Sequence, residues 1–483
     1  MKSWLSKYIF HIILLLILLS VRIAIFTEKE ELHPDEVFSL TLSQHNKIYW
    51  AAPVNSTYQG RELKQMLVAH HSYCDDIKQL WTSNGDTPHA SLYYMFLRTA
   101  LIGYDSYDMP QFALRGFILN SIFFIIAYIL LFQILSLTIK NNNRFVILAT
   151  LALAFGNEMS ISNTLLVREY QLAEVAILLL TFFGIKSMIR IRDGENLSWL
   201  NDVIPLSIAI ALTASTGYFN CFYIGILGLC LITYSIIKRN YINIVKFICS
   251  GTLGTLLAWG MYLSFFNFLI HDTVHTEDSF SDLGNSLYYI FTRDIFHSYL
   301  GPTGLSLISV AFILFILQLF KKKASLHIYN IIPIFALITL IFIQWGSVLK
   351  EPRYGYAFIS LTATLLAYML VNIMPLYRNI IVIFTLAFYA ISPFFTYPNP
   401  NIYKWEQNKK ELSKEMTIYD LAGNQIVYLI PYLNDSTQYE VVNKELEFAS
   451  GCTIVTNDEL TSDSLEVTHL TLKPTYFVVN TFE

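Results

Sequence analysis

The chain has 483 residues, 54% of them hydrophobic, 15% aromatic and 14% charged, with a formal net charge of -4. An ordinary soluble domain carries about a quarter charged residues, so this composition excludes a soluble globular protein and describes an integral membrane protein. The balance is acidic and the longest basic run is "KKK" at 321–323, which excludes nucleic acid as a partner.

The first stretch, "MKSWLSKYIFHIILLLILLSVRIAIF", has a basic start and a long apolar core. It lacks a small-x-small cleavage site and carries Arg22, which predicts an uncleaved signal anchor. Apolar stretches of about 18 to 25 residues then recur, each long enough to cross a ~30 Å hydrocarbon layer as a helix. They lie near 8–27, 116–138, 145–162, 170–188, 203–217, 218–237, 247–269, 303–320, 329–348, 355–374 and 380–397. About eleven spans put the termini on opposite sides. By alternation Lys2, Lys7, Lys140, Arg144, Lys186, Arg190, Arg192, Lys238, Arg239, Lys246, Lys321 to Lys323 and Arg378 share one side, which the positive-inside rule makes cytoplasmic. The N-terminus is then cytoplasmic and the C-terminus extracytoplasmic.

The fold class expected is an α-helical polytopic membrane protein: a membrane domain over 1–400, with a first outer loop and its interfacial helices over 28–115. Two other outer segments, near 270–300 and beyond 398, can meet that loop over one surface. The tail, 401–483, changes character: "NQIVYLIPYL", "CTIVTN" and "THLTLKPTYFVVN" are short runs rich in Val, Ile, Thr, Tyr and Phe between turn residues. They predict a small α/β or β-rich extracytoplasmic domain. Of five cysteines none shows C-x-x-C spacing; Cys74 and Cys452 fall on the same outer side, which permits a disulfide.

Just past the first span, "ELHPDEVFSL" places Asp35 and Glu36 at a helix start. Pro34 disfavours helical geometry at His33, and the helix dipole favours acids in the first turn, so the pair needs no functional explanation on those grounds alone. Three stretches further along the chain give the pair more weight. "NGDTPHASLYYMFLR" (84–98) gives a turn and an amphipathic aromatic helix suited to the interface. "SISNTLLVREYQLAE" sets Arg168, Glu169 and Glu174 at the outer end of the fourth span, and "KEPRYGYAFIS" sets Arg353 and Tyr354 at the start of the tenth. Charges at such depths are costly unless paired or facing a wet cavity, although either arginine can also snorkel or form a plain ion pair.

These residues resemble the C-type superfamily of membrane glycosyltransferases (GT-C), close to the bacterial relatives of protein O-mannosyltransferase and lipid A aminoarabinose transferase. The resemblance runs to about residue 400 and rests on "HPDEVFSL", "NGDTPHASLYYMFLR", "VREYQL" and "EPRYGYAFIS" in that order. It implies a multi-pass protein of a bacterial cytoplasmic membrane that passes a sugar from a polyprenyl-phosphate donor to an acceptor (protein, lipid or glycan) on the outer face. It implies Asp35 as general base with Glu36 supporting it, and Arg353 as the ligand of the lipid phosphate. Arg168, Tyr354 and Tyr170 join Arg353 as donor-phosphate and lipid contacts; Asp86, His89, Tyr93 and Glu158 are the expected substrate pocket. The chain departs from the relatives' D-x-H-P-P-L-Y-Y pattern, with His89 and Pro88 exchanged and the second Pro missing, and carries Glu169 where relatives often have an apolar residue.

Glycosyl transfer needs a base for the incoming hydroxyl and a cationic cradle for the departing phosphate. A carboxylate titrating near ~4 is a modest base, which partial burial at the lipid boundary improves. An arginine fork offers paired donors to phosphate oxygens and keeps its charge. The expected reaction requires no cofactor and inverts the anomeric centre. A divalent cation held by Asp35, Glu36 and histidines such as His33, His70, His71 or His89 stands as the alternative chemistry. A lipid-linked sugar flippase and a surface-polysaccharide polymerase or ligase stand as alternative functions, although helices broken by Gly or Pro in related halves, the usual mark of a transporter, are not evident.

Overall fold

The computed structural model describes residues 2–29, 32–46, 56–68, 72–83, 92–139, 143–263, 284, 287–288, 301–321, 328–346, 352–391, 416–419, 426–442, 453–456, 465–470 and 476–481. Among the described residues, seven helices are long and apolar enough to cross a membrane: Tyr8–Phe26, Met109–Thr138, Tyr170–Arg192, Asn220–Ile237, Tyr241–Met261, Pro302–Phe320 and Tyr329–Gly346. The chain is therefore a polytopic membrane protein.

The expected span at 145–162 is broken. It consists of two helices, Arg144–Phe155 and Glu158–Leu165, bent 59° to each other, and makes an eighth crossing if the pair counts as one. The other three expected spans are shorter helices: Trp199–Ala214 and Pro375–Ile391, and Ile359–Leu370 behind a 3-10 turn over Pro352–Phe358. That turn carries Arg353 and the tyrosines, and irregular backbone at membrane depth is tolerated where it is buried in protein or lines a wet cavity. The expected outer loop at 270–300 lies almost wholly outside the described residues.

In chain order the elements that position the site are α1 (Lys2–Phe26), α2 (Pro34–Ser43), β1 (Ser56–Gln59), α3 (Gly60–Met66), α4 (Tyr73–Ser83), α5 (Leu92–Ala100), α6 (Met109–Thr138), α7 (Arg144–Phe155), α8 (Glu158–Leu165) and α9 (Tyr170–Arg192). Local chemistry sets where they begin. Asp108 caps α6 by accepting from Gln111 N (3.0 Å), with Pro110 just inside the helix. Asn157 caps α8 by accepting from Ser160 N (2.8 Å).

The break between α7 and α8 frees backbone carbonyls inside a lipid-facing bundle, where each needs a donor. Arg22 of α1 supplies one, to Phe155 O at the end of α7, and also reaches into α8. Its Nη2 donates to Phe155 O (3.0 Å) and Ser160 O (3.2 Å), its Nε to Thr164 Oγ1 (2.9 Å), and its guanidinium lies 3.8 Å from the centre of the Phe124 ring. Thr164 passes its own hydrogen to Gln171 Oε1 (2.9 Å), and Gln171 donates to Glu174 Oε2 (2.7 Å). Arg22, the anomaly of the first span, is thus the brace of a broken helix.

The described segments of the tail supply five strands, and the first loop a sixth. A six-stranded mixed sheet runs β1-β3-β2-β4-β6-β5, where β2 is Met416–Tyr419, β3 Gln438–Val442, β4 Thr453–Thr456, β5 Leu465–Leu470 and β6 Tyr476–Thr481. β1, from the first loop, pairs antiparallel with β3, Ser56 opposite Val441 and Gln59 opposite Gln438. β2 runs parallel to both β3 and β4, and β6 antiparallel to β4 and β5. A second apolar core beneath this sheet joins Val37 and Leu40 of α2, Tyr93 and Leu97 of α5, Phe112 of α6 and Ile430, Tyr439 and Val441 of the tail. Tyr432 Oη also donates to Leu32 O (2.6 Å), so the tail and the segment bearing Asp35 are one packed unit. Cys74 is an exposed free thiol, and Cys452 lies outside the described residues.

Candidate active site

Asp35 is fixed by the start of α2. His33 caps this helix with extended backbone, Pro34 opens it, and Asp35 and Glu36 occupy its first turn. The imidazole Nδ1 of His33 accepts from Asp35 N (3.1 Å), and Glu36 reaches back so that His33 N donates to its Oε2 (2.6 Å). The other ring nitrogen, Nε2, lies 3.4 Å from Arg353 Nη1. Neutral is the form the surroundings favour. Burial chiefly, then the charges of Arg353, Arg168 and Lys29, lower the His33 pKa to about 3 against the opposing pull of Asp35.

The two acids divide. Glu36 is wholly enclosed: its Oε1 accepts from Lys29 Nζ (2.6 Å) and from Val167 N (2.8 Å), while Oε2 takes His33 N (2.6 Å). Lys29 in turn donates to Leu165 O (2.8 Å). Glu36, expected to support the base chemically, has no open face; it pins the start of α2 to the link between α8 and α9. Asp35 keeps 18% of its side chain exposed and pairs through Oδ2 with Arg353 Nη1 at 3.0 Å, Arg353 being 19% exposed.

The second cation comes from the α8–α9 link. Arg168 is buried, donates to the main-chain oxygen of Asp35 (3.3 Å) and pairs with Glu169 (3.3 Å), which also accepts from Tyr94 Oη (3.4 Å). Glu169, the departure from the family pattern, therefore offsets the Arg168 charge at close range. Around Arg353, Tyr354 lies 5.7 Å from the guanidinium, and the Tyr170 ring sits 6.4 Å from Tyr354 and 6.0 Å from Tyr356.

Five of the expected residues, Asp35, Arg353, Arg168, Tyr354 and Tyr170, thus come together from three distant parts of the sequence. Tyr93 does not join them: it is fully buried, and its Oη donates to Asn120 Oδ1 (3.2 Å), whose amide holds Leu166 O (2.7 Å). It braces the link instead of lining an open pocket. Glu158 starts α8 at the end away from Arg168, roughly 10 Å along the helix. Asp86 and His89 lie outside the described residues, as do His70 and His71. Among the described residues no group of three or more His, Cys, Asp or Glu is placed to hold a metal ion.

Sequence reading missed Lys29, Asn120 and Tyr432. Lys29 looks like a cation leaving the membrane, and nothing local says that it turns back to Glu36; its seven-residue spacing from that acid is the only signal.

No protein-family model and no curated protein sequence matches the chain. Among solved structures it is similar to the crystal structure of ArnT from Cupriavidus metallidurans bound to undecaprenyl phosphate, with TM-score 0.48 and 11% identity over 78% of this chain and 62% of that one. The apo state of the same protein gives TM-score 0.47 and 12% identity over 79% and 63%. The chain thus spans less than two thirds of the length of the protein it is similar to.

Proposed function

We propose that the chain is a GT-C-type glycosyltransferase that moves a sugar from a polyprenyl-phosphate donor to an acceptor hydroxyl. The observation that carries this reading is the half-open Asp35–Arg353 pair, 3.0 Å apart, with Arg168 behind it and a wall of tyrosines beside it. Asp35 takes the proton of the acceptor hydroxyl as that oxygen attacks the anomeric carbon. The bond from the anomeric carbon to the phosphate oxygen breaks, and its electron pair stays on the carrier phosphate. The Arg353 fork has five N–H donors and can hold a carboxylate on one edge and a phosphate on another. A single displacement inverts the sugar, and the two guanidinium groups supply the positive charge that the leaving group needs without a divalent ion.

The need to meet a lipid-borne phosphate explains the position of the base. A polyprenyl chain lies in the bilayer with its phosphate at headgroup level, and only a carboxylate held at that level comes within hydrogen-bond reach. The end of the bundle away from Asp35 carries Arg144, Arg190, Arg192, Lys238 and Arg239, which supports an outer-face site by the positive-inside rule. The acceptor is a protein, lipid or glycan of the envelope.

Purified full-length protein, given a panel of labelled polyprenyl-phosphate sugars, is expected to release carrier phosphate, and Asp35→Asn to slow that release at least ~100-fold. Normal turnover in Asp35→Asn overturns the assignment of the base. Movement of intact donor across proteoliposomes with no cleavage overturns the enzyme reading in favour of a flippase.

A further inference from the structure

A cavity of about 760 Å³ opens between α1, α6, α7 and α9 at the end of the bundle away from Asp35. Its size falls in the ~300–1,000 Å³ range of small-molecule sites. Its rim includes Ile12, Ile129 and Leu137, which are exposed on the outside of the bundle, where bilayer lipid lies. Its wall is aromatic and aliphatic, interrupted by His11, Gln133, Ser136 and Arg144.

Arg144 is at the first turn of α7 and lines the mouth. Val146 N of that turn donates to the Asn143 side chain (3.5 Å); the amides before it have no partner within the helix and, with the helix dipole, favour an anion beside them. His11, on α1, is 7% exposed, and its Nδ1 has no hydrogen-bond partner among the described residues. The ring is held against Phe132, centroids 4.6 Å apart, while Tyr128 Oη fixes the His11 carbonyl (2.9 Å). Ser136 Oγ, on the same wall, is likewise buried without a partner among the described residues. Buried polar atoms left unsatisfied in an apolar wall cost stability unless a ligand or water meets them.

We propose that this cavity binds a bilayer phospholipid. One acyl chain fills the aromatic cleft, the phosphate sits on Arg144 and the first-turn amides of α7, and His11 Nδ1 and Ser136 Oγ meet the ester or glycerol oxygens below. From His11 to Phe26 the α1 axis covers roughly 22 Å, so a lipid phosphate at Arg144 belongs to the other leaflet from one at Arg353. The occupant is therefore a separate molecule from the sugar donor.

The test uses the full-length protein in detergent, with native mass spectrometry of added phosphatidylglycerol, diacylglycerol of the same acyl chains, and a polyprenyl phosphate. Expected is retention of phosphatidylglycerol that Arg144→Gln weakens at least ~10-fold and Arg144→Lys largely keeps, while Ile129→Trp, which closes the mouth, abolishes it. Arg353→Ala leaves it unchanged, which separates this site from the proposed donor site. Equal retention by wild type and Arg144→Gln, equal binding of diacylglycerol, or displacement by the polyprenyl phosphate overturns the proposal. The thermal midpoints of Arg144→Gln and Ile129→Trp in lipid-free detergent should match wild type, so that loss of lipid is not loss of fold.

Discussion

Lys29 Nζ lies 2.6 Å from Glu36 Oε1 with both side chains wholly buried, and the residue immediately before Glu36 is the half-open Asp35. One acid therefore fixes the backbone that presents the other. A buried pair is costly to break from one side, because the remaining charge is left without a partner, by about 3–5 kcal/mol. Lys29→Met alone and Glu36→Gln alone should each destabilise strongly, and the double variant should recover part of the loss. Chemical unfolding in detergent, arranged as a double-mutant cycle, measures this; strictly additive effects would show that the pair does not act as a unit.

Arg353 serves two partners in the proposed reaction, Asp35 in the resting site and phosphate in the donor complex. Arg353→Ala is expected to raise the KM for the lipid donor at least ~10-fold, and Arg353→Lys to restore part of it, since a point charge lacks the fork. The KM for the acceptor should change little. A variant with donor KM unchanged and kcat alone reduced would assign Arg353 to orienting Asp35 and not to holding phosphate.

His33 ties stability to pH. Its pKa falls, chiefly by burial, from 6.5 to about 3 in the folded chain. Between those values the unfolded chain binds a proton that the folded one does not, so stability is full above the unfolded value and drains as pH falls through the window toward the folded one. His33→Asn keeps a capping acceptor without a titrating ring. The thermal midpoint of the variant should therefore decline less than that of wild type between neutral pH and about pH 4. Parallel declines would place the acid sensitivity on the carboxylates alone.

The membrane class and the long apolar helices were legible because hydrophobic runs are local signals. Asp35, Arg168 and Arg353 were legible as charges where lipid makes charge expensive. Geometry that depends on distant partners was not. Nothing in "DEVFSL" separates the sealed Glu36 from the open Asp35; Lys29 and the Val167 amide decide that. The run at 145–162 is interrupted by Gly156, Asn157 and Glu158, but a polar interruption does not say how far the axis turns, and Arg22 gained its meaning only from the Phe155 carbonyl at the bend. β1 is a four-residue strand in a polar loop, and its partner β3 lies in the far tail.

Gly156 is where that bend meets its neighbour. A Cβ there would stand 2.5 Å from Tyr389 O and 2.6 Å from Ala152 O, both main-chain atoms that cannot rotate away. Gly156→Ala must therefore push Pro375–Ile391 from the end of α7 or straighten the bend, at a cost of about 1–3 kcal/mol by overpacking. Either movement shifts Phe155 and Ser160, whose carbonyls Arg22 holds, and through α8 the link that carries Arg168. The expected outcome is a lower thermal midpoint together with reduced donor turnover, whereas Gly103→Ala, at an exposed turn with nothing near its Cβ, should cost stability through its positive φ of 76° and leave turnover intact. Comparing the two variants for midpoint and turnover separates the effect of the bend from general destabilisation; full activity in Gly156→Ala would show that the broken helix does not position the site.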